Sequence, residues 1–500
     1  MNFSMTPEQE QIRDAIERVC EPFDADYWLR KDQEGGFPDD FHRALASSGW
    51  LGIAMPEAYG GAGLGISEAA LMMHTISATG AGLSGASAVH MNIFGLHPVV
   101  VFGNDAQKKR WLPPLIAGTD KACFGVTEPN TGLNTLKLKT RAVRDGNHYV
   151  VHGQKVWIST AQVANKILLL ARTTPVEECK GTEGLSLFYT DLDRSTVEVR
   201  EIEKLGRKCV DSNQVFIDGL RIPVEDRVGE EGKGFSYILH GLNPERILIA
   251  SEAVGLGRAA LKRAAGYANE REVFGRPIGQ NQGIQHPLAK SWMELEAAHL
   301  MVHKAAWLYD QNLPCAAEAN SAKYLAAEAC YHACENAIFT HGGMGYAEEY
   351  AVSRYFVDAR VLSIFEGADE VLALRVIARL RADLLTLRPA TEADAPACDE
   401  LHWVDDPDDF DPGRQLGLDQ RHRALHEVEL REEVVAGMGD DVDERVADGD
   451  DVERLFHYAD DLLAPARILA DNARSFFADI SASLAIYQAV FELRKTPGKI

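Results

Sequence analysis

Three short segments carry residues whose types could do chemistry. They are Cys123-Phe-Gly-Val-Thr-Glu-Pro129, Gly153-Gln-Lys-Val-Trp-Ile-Ser159 and Ile364-Phe-Glu-Gly367. The last sets a carboxyl group, Glu366, beside a glycine that permits a turn, and a carboxyl held in place can act as a general acid or base. Read alone, Trp157 is a core residue on a β-strand, and composition does not connect the three segments. Two other patterns are weaker. Cys330 and Cys334 stand one helical turn apart with His332 between them, but free cysteine packs as a small hydrophobe and core is the better reading than a metal site. The GGAGLG stretch at 60–65 has neither the GxGxxG spacing nor the surrounding βαβ unit of a dinucleotide site.

The elements that must position these segments follow from periodicity. Residues 1–120 read as helices. Thr6, Pro7 and Gln9 form a helix start with a capping box, and Asn104 with Gln107 repeats it. Pro113-Pro114 implies a break or kink. Residues 121–230 change to strand-like runs: TRAVRDGNHYVVHG alternates around Asp145-Gly146, a hairpin signal, and KILLLAR, LSLFYTDL, STVEVREI and QVFIDGLRIP follow. A small β-barrel or sandwich is expected there. Residues 231–385 show apolar spacings of three and four over long stretches, the pattern of a helical bundle. Residues 386–415 read as an acidic linker and 416–500 as a helical extension, with a stripe from Leu462 to Phe491 and Pro465 near a helix start. The fold class is therefore multidomain α+β: an N-terminal helical domain, a middle β-barrel or sandwich, a C-terminal four-helix bundle and a further helical extension.

At 500 residues, with 46% hydrophobic and 25% charged residues, the chain is an ordinary globular composition for about three domains. Lys plus Arg is 51 against 75 Asp plus Glu, a net charge of −24, so nucleic acid is a poor partner. Residues 391–500 alone hold 27 acids and 11 bases. No apolar run approaches the ~20 residues of a membrane span, and the N-terminus lacks the basic and apolar regions of a signal peptide. Eight sparse cysteines without a CxxC fit a reduced, cytoplasmic compartment.

Taken in order, MPEAYGG (55–61), FGVTEP (124–129), HGQKVWIS (152–159), FIDGLRIPVEDRVGEEGKGF (216–235), NPERILIA (243–250), EREVFGRPIGQNQGIQ (270–285), HGGMGY (341–346) and FEGADEVL (365–372) resemble the acyl-CoA dehydrogenase family over residues 5–385. The resemblance implies FAD as cofactor and oxidation of an acyl-CoA thioester to the trans-2-enoyl-CoA, with a glutamate removing the α-proton and the β-hydrogen leaving as hydride to flavin N5. It implies that Thr127, Trp157 and Ser159 meet the flavin ring. It further implies that Arg271 and Phe274 reach the FAD of a neighbouring subunit, and that Gln282, Gly342 and Gly343 approach the cofactor. Surface pairing of Glu270 with Arg271 and simple helix capping by the glycines are the alternatives. The family places its base in one of two segments. Here both hold an acid, Glu366 and Glu245, and Glu366 is favoured. Arg246 matches a position that orders the substrate side of the site; an exposed helical arginine is its alternative.

The sequence departs from the family pattern at Leu133, Ala368, Glu370 and Phe339. Electron-transfer flavoprotein is the expected acceptor, and a homodimer or homotetramer the expected assembly. The competing functions are an acyl-CoA oxidase using O2 and a non-catalytic assembly protein retaining the fold. The acidic extension resembles that of very-long-chain members in position and expected helicity, without a shared motif, and suits dimerisation or self-docking better than an anionic membrane.

Overall fold

The computed structural model describes residues 4–91, 96–179, 182–373 and 376. All belong to the first of two units into which the chain divides, Met1–Arg388. The linker, the extension and its Leu462–Phe491 stripe lie outside the described residues.

Among the described residues seven α-helices come first: α1 Pro7–Cys20, α2 Ala25–Glu34, α3 Asp39–Ser47, α4 Ile66–Ile76, α5 Gly82–His90, α6 His97–Phe102 and α7 Asp105–Ile116. α1 begins as its sequence dictates. The Thr6 side chain accepts from the Gln9 N–H while the Gln9 side chain accepts from the Thr6 N–H, and Pro7 sits in the first turn. Asn104 and Gln107 cap α7 in the same way. The break expected at Pro113-Pro114 does not occur, because α7 runs through both prolines to Ile116. They fall in its last turns, where the helix ends soon after and Ala117 N–H still reaches the Pro113 carbonyl.

Eight strands form one mixed sheet: β1 Ala122–Gly125, β2 Arg141–Asp145, β3 His148–Ser159, β4 Lys166–Arg172, β5 Leu185–Asp191, β6 Val197–Glu201, β7 Ser212–Pro223 and β8 Arg227–Val228. β2 and β3 are the hairpin that Asp145-Gly146 signals, with Gly146 at φ +61°. The order is β6-β7-β3-β2-β4-β5-β8, with β1 parallel to β4. Inward residues such as Tyr149, Val151, Ile167, Leu169, Phe188 and Val215 bury a core of their own.

Long helices follow: α8 Gly234–Glu270, α9 Gln282–Asp310, α10 Ala316–His341 and the shorter α11 Ala351–Ala359. Between α8 and α9 lies the short pair β9 Glu272–Val273 and β10 Arg276–Pro277. α8, α9 and α10 pack together and against α4. Small residues permit the approach: a Cβ on Gly255 would lie 2.4 Å from the His74 carbonyl oxygen of α4, and one on Gly257 2.6 Å from Leu295 of α9. Cys330 and Cys334 are fully buried in this core. Among the described residues, no helix is long and apolar enough to cross a membrane.

Candidate active site

Glu366 lies on a turn just beyond α11 and the 3-10 segment Arg360–Ser363. Its φ is +53°, a left-handed conformation that side chains adopt at a cost. Gly367 follows at φ +104°, and a Cβ there would meet Leu372 at 3.0 Å. Two cations secure the turn through its backbone. Arg246 Nε donates to the Glu366 carbonyl at 3.3 Å, and Lys323 Nζ of α10 donates to the Gly367 carbonyl at 2.8 Å while facing Asp369 at 3.5 Å.

Glu245 arrives from the other side, on α8, and is only 1% exposed. Burial pushes its carboxyl well above the usual range, and the charge of Glu366 and a hydrogen bond to it push the same way against the pull of Arg246. Among the described residues, no N–H or hydroxyl donates to Glu245 Oε1. The two sequence candidates for the base therefore meet. Burial favours the neutral form of Glu245, and the half-buried Glu366 is the member that a ligand can reach.

The second wall is built by β3. Its pairing with β7 shifts register between Lys155 and Ile158, a β-bulge. The bulge gives Trp157 a φ of +60° and turns its indole outward, 58% exposed. The reading of Trp157 as a core residue is thereby corrected: Ile158 takes the buried place and Ser159 stays half-buried. The bulge is tied to the first segment, because Val156 N–H donates to the Thr127 carbonyl at 3.0 Å. Beneath it Lys155 is fully buried, and its Nζ donates to the Val126 carbonyl at 2.9 Å and to Glu128 Oε1 at 3.0 Å. The Glu128 carboxylate also accepts N–H bonds from Lys139 and Thr140, at 2.6 and 2.8 Å. Burial brings Lys155 down to about 8 against the pull of Glu128. Burial would raise Glu128, but Lys155 and the two N–H groups hold it below its ordinary value.

The remaining predicted residues gather elsewhere. Arg271, Phe274, Gly342 and Gly343 line a groove of about 780 Å³, together with Tyr267 and Phe339. Gln282 is exposed between Asn281 and Gly283, both of which line it. Phe274 is fully exposed at φ +54°. Gly342 also caps α10 at φ +59°, so the capping alternative holds for it alongside its place in the groove. Leu133 is an exposed side chain, and Ala368 and Glu370 line a cleft of about 500 Å³ behind the Glu366 turn. Sequence reasoning missed Lys155, Glu128 and Lys323. Lys155 had a signal: it continues the inward alternation of Tyr149 and Val151 on β3. Lys323 had none, because a lysine on a helix is ordinarily solvated.

The described residues thus form a helical layer, a mixed sheet that presents an exposed indole, and a helical bundle beside which two acids meet. The sequence matches the family models for the acyl-CoA dehydrogenase N-terminal domain (residues 6–119), middle domain (123–220) and C-terminal domain (232–381). It is 38% identical over 381 residues to a probable acyl-CoA dehydrogenase, YngJ, of Bacillus subtilis, covering 76% of this chain and 99% of that one. It is 33% identical over 344 residues to the CarC subunit of a caffeyl-CoA reductase-Etf complex of Acetobacterium woodii, covering 68% and 89%. The butyryl-CoA dehydrogenase structure from Megasphaera elsdenii superposes with a TM-score of 0.73 at 29% identity, covering 76% of this chain and all of that one. The chain belongs to the acyl-CoA dehydrogenase family, and it is an oxidoreductase acting on acyl-CoA.

Proposed function

We propose that the chain carries out FAD-dependent α,β-dehydrogenation of an acyl-CoA thioester to the trans-2-enoyl-CoA, with Glu366 as the base. The observation that carries this reading is the meeting of Glu366, on a turn fastened by Arg246 and Lys323, with Glu245 of α8, whose carboxyl is buried and pushed upward by that burial. FAD fits the residues present. Trp157 offers an exposed flat face on a bulge beside Thr127 and Ser159, and the groove brings Arg271 and two glycines to one place. Arginine suits a pyrophosphate by bidentate, charge-assisted bonds. When bound, FAD supplies the acceptor for the β-hydrogen as hydride.

The protein's own residues do the rest. Glu366 takes the α-proton. Glu245, kept neutral by burial, gives the pair room for only one negative charge. Arg246 and Lys323 hold the turn so that the carboxyl is placed before substrate arrives. Trp157, Thr127 and Ser159 position the flavin ring. Arg271, Phe274, Gln282 and Gly343 serve the cofactor of a neighbouring copy, in a homodimer or homotetramer; the full exposure of Phe274 supports this. Electron-transfer flavoprotein is the proposed acceptor, supported by the Etf-complex name of the CarC relative.

The test is to purify the chain and follow loss of flavin absorbance with a panel of acyl-CoAs. A yellow protein bleached by at least one saturated thioester is expected. A protein with no chromophore and no affinity for FAD would point to a non-catalytic assembly role. Turnover with O2 equal to turnover with an artificial acceptor under anaerobic conditions would point to an oxidase.

A further inference from the structure

α5 is buried and mostly apolar, yet one stripe of it is polar: Ser84, Ser87 and His90, at spacings of three, are all at most 4% exposed. The helix crosses α8 with its start against Leu256 and its end against Glu252. His90 Nδ1 lies 3.0 Å from Glu252 Oε1, and the Ser84 hydroxyl neighbours the Cys209 thiol. Two residues before Cys209, Arg207 is held at φ +52° with its backbone N–H on Asp358. Its guanidinium stands 5.4 Å from the centre of the Phe365 ring, next to Glu366, and interacts electrostatically with both Glu252 and Glu366.

Three polar atoms in this patch have no partner among the described residues: Glu252 Oε2, Ser87 Oγ and Arg207 Nε. Their residues are 0%, 2% and 7% exposed. Unpaired buried polar atoms are few in native proteins, and each needs a reason. The patch is also placed along the reaction site. Glu252 follows Glu245 by seven residues on the same face of α8, about 10 Å along the axis. We propose that Ser87, Glu252 and Arg207 form a polar subsite that recognises a hydroxyl group on the acyl chain, a specificity that rests on the acyl-CoA reading above.

The donor set selects the ligand chemistry. As a carboxylate Glu252 accepts at Oε2, Arg207 Nε can only donate, and Ser87 can do either. A hydroxyl answers both demands at once; a carboxylate or ketone only accepts, and an ammonium only donates. Glu252 and Arg207 have opposite charges, so a neutral group is favoured over a charged one. An unsubstituted methyl end would leave all three atoms unpaired, and sites built to hydrogen-bond a hydroxyl reject the analogue lacking it strongly. At about 1.2 Å per extended bond, a span of about 10 Å corresponds to roughly eight bonds.

The test compares kcat/KM for ω-hydroxyoctanoyl-CoA and octanoyl-CoA on the flavin-loaded full chain. A preference of at least about tenfold for the hydroxylated thioester is expected. Ser87→Ala and Glu252→Gln should each bring that ratio toward one, whereas a merely structural defect lowers both substrates together. Equal kcat/KM in the wild type, or a ratio unmoved by both variants, would overturn the subsite. Failure of either thioester, and of every other acyl-CoA, to bleach the flavin would overturn the underlying functional reading instead.

Discussion

The β3 bulge and the Glu366 turn solve the same problem in different ways. Each puts a candidate site residue at a positive φ, Trp157 at +60° and Glu366 at +53°. Each sits over a buried lysine that grips a carbonyl and faces an acid: Lys155 with Val126 and Glu128, Lys323 with Gly367 and Asp369. The supports differ in completeness. Glu128 is fully engaged by Lys155 and two backbone N–H groups. Asp369 stands 3.5 Å from Lys323, and its Oδ1 has no hydrogen-bond partner among the described residues. Burial raises the Asp369 carboxyl, where the Glu128 carboxyl is held low. The comparison teaches that the wall carrying the exposed indole is locked, whereas the turn carrying the acid is held mainly through its backbone.

Four experiments sharpen or break this contrast. Lys155→Met should cost the most, about 3–5 kcal/mol by denaturant unfolding, because it leaves Glu128 buried without its cation. The next effect is a pH dependence. Burial lowers Lys155 to about 8 in the folded chain, while the unfolded chain keeps that proton to about 10.4. Over that window the unfolded state binds more protons, so this residue makes stability rise with pH, by up to about 3 kcal/mol. Stability measured across the window should therefore climb in wild type relative to Lys155→Met; parallel curves would refute the contribution.

Lys323→Met should destabilise by less, about 1–2 kcal/mol, since it frees one hydrogen bond and a longer ion pair. It should also slow flavin reduction about tenfold or more through misplacement of Glu366. A loss of stability as large as that of Lys155→Met would erase the distinction between the two supports. The smallest stability change belongs to Trp157→Ala, within about 1 kcal/mol because the indole is exposed. Its effect should appear instead as roughly tenfold weaker FAD binding by titration.

Much of the fold was legible because local patterns agree with it. The two capping boxes, the Asp145-Gly146 hairpin and the run KILLLAR, which is β4 itself, each encode their own geometry. The exposure of Trp157 was not legible: a bulge is set by how β3 registers on β7, and β7 is remote in sequence. Pro113-Pro114 misled because proline is disruptive in a helix interior, whereas these two fall near the end of α7. At the candidate site, Glu366 and Glu245 were visible as acids in two suggestive segments. That they meet required the packing of α8 against the turn beyond α11, which no local pattern records. Lys323 was hidden for the same reason, since the Gly367 carbonyl that it grips is remote from α10 in sequence.

The central claim is that Glu366, and not the buried Glu245, removes the α-proton. The direct measurement is rapid-mixing flavin reduction by the best thioester of the panel in wild type, Glu366→Gln and Glu245→Gln. Glu366→Gln should be slower by about 10³-fold or more, and Glu245→Gln by less than about 10²-fold. Reduction of Glu366→Gln at the wild-type rate would contradict the account.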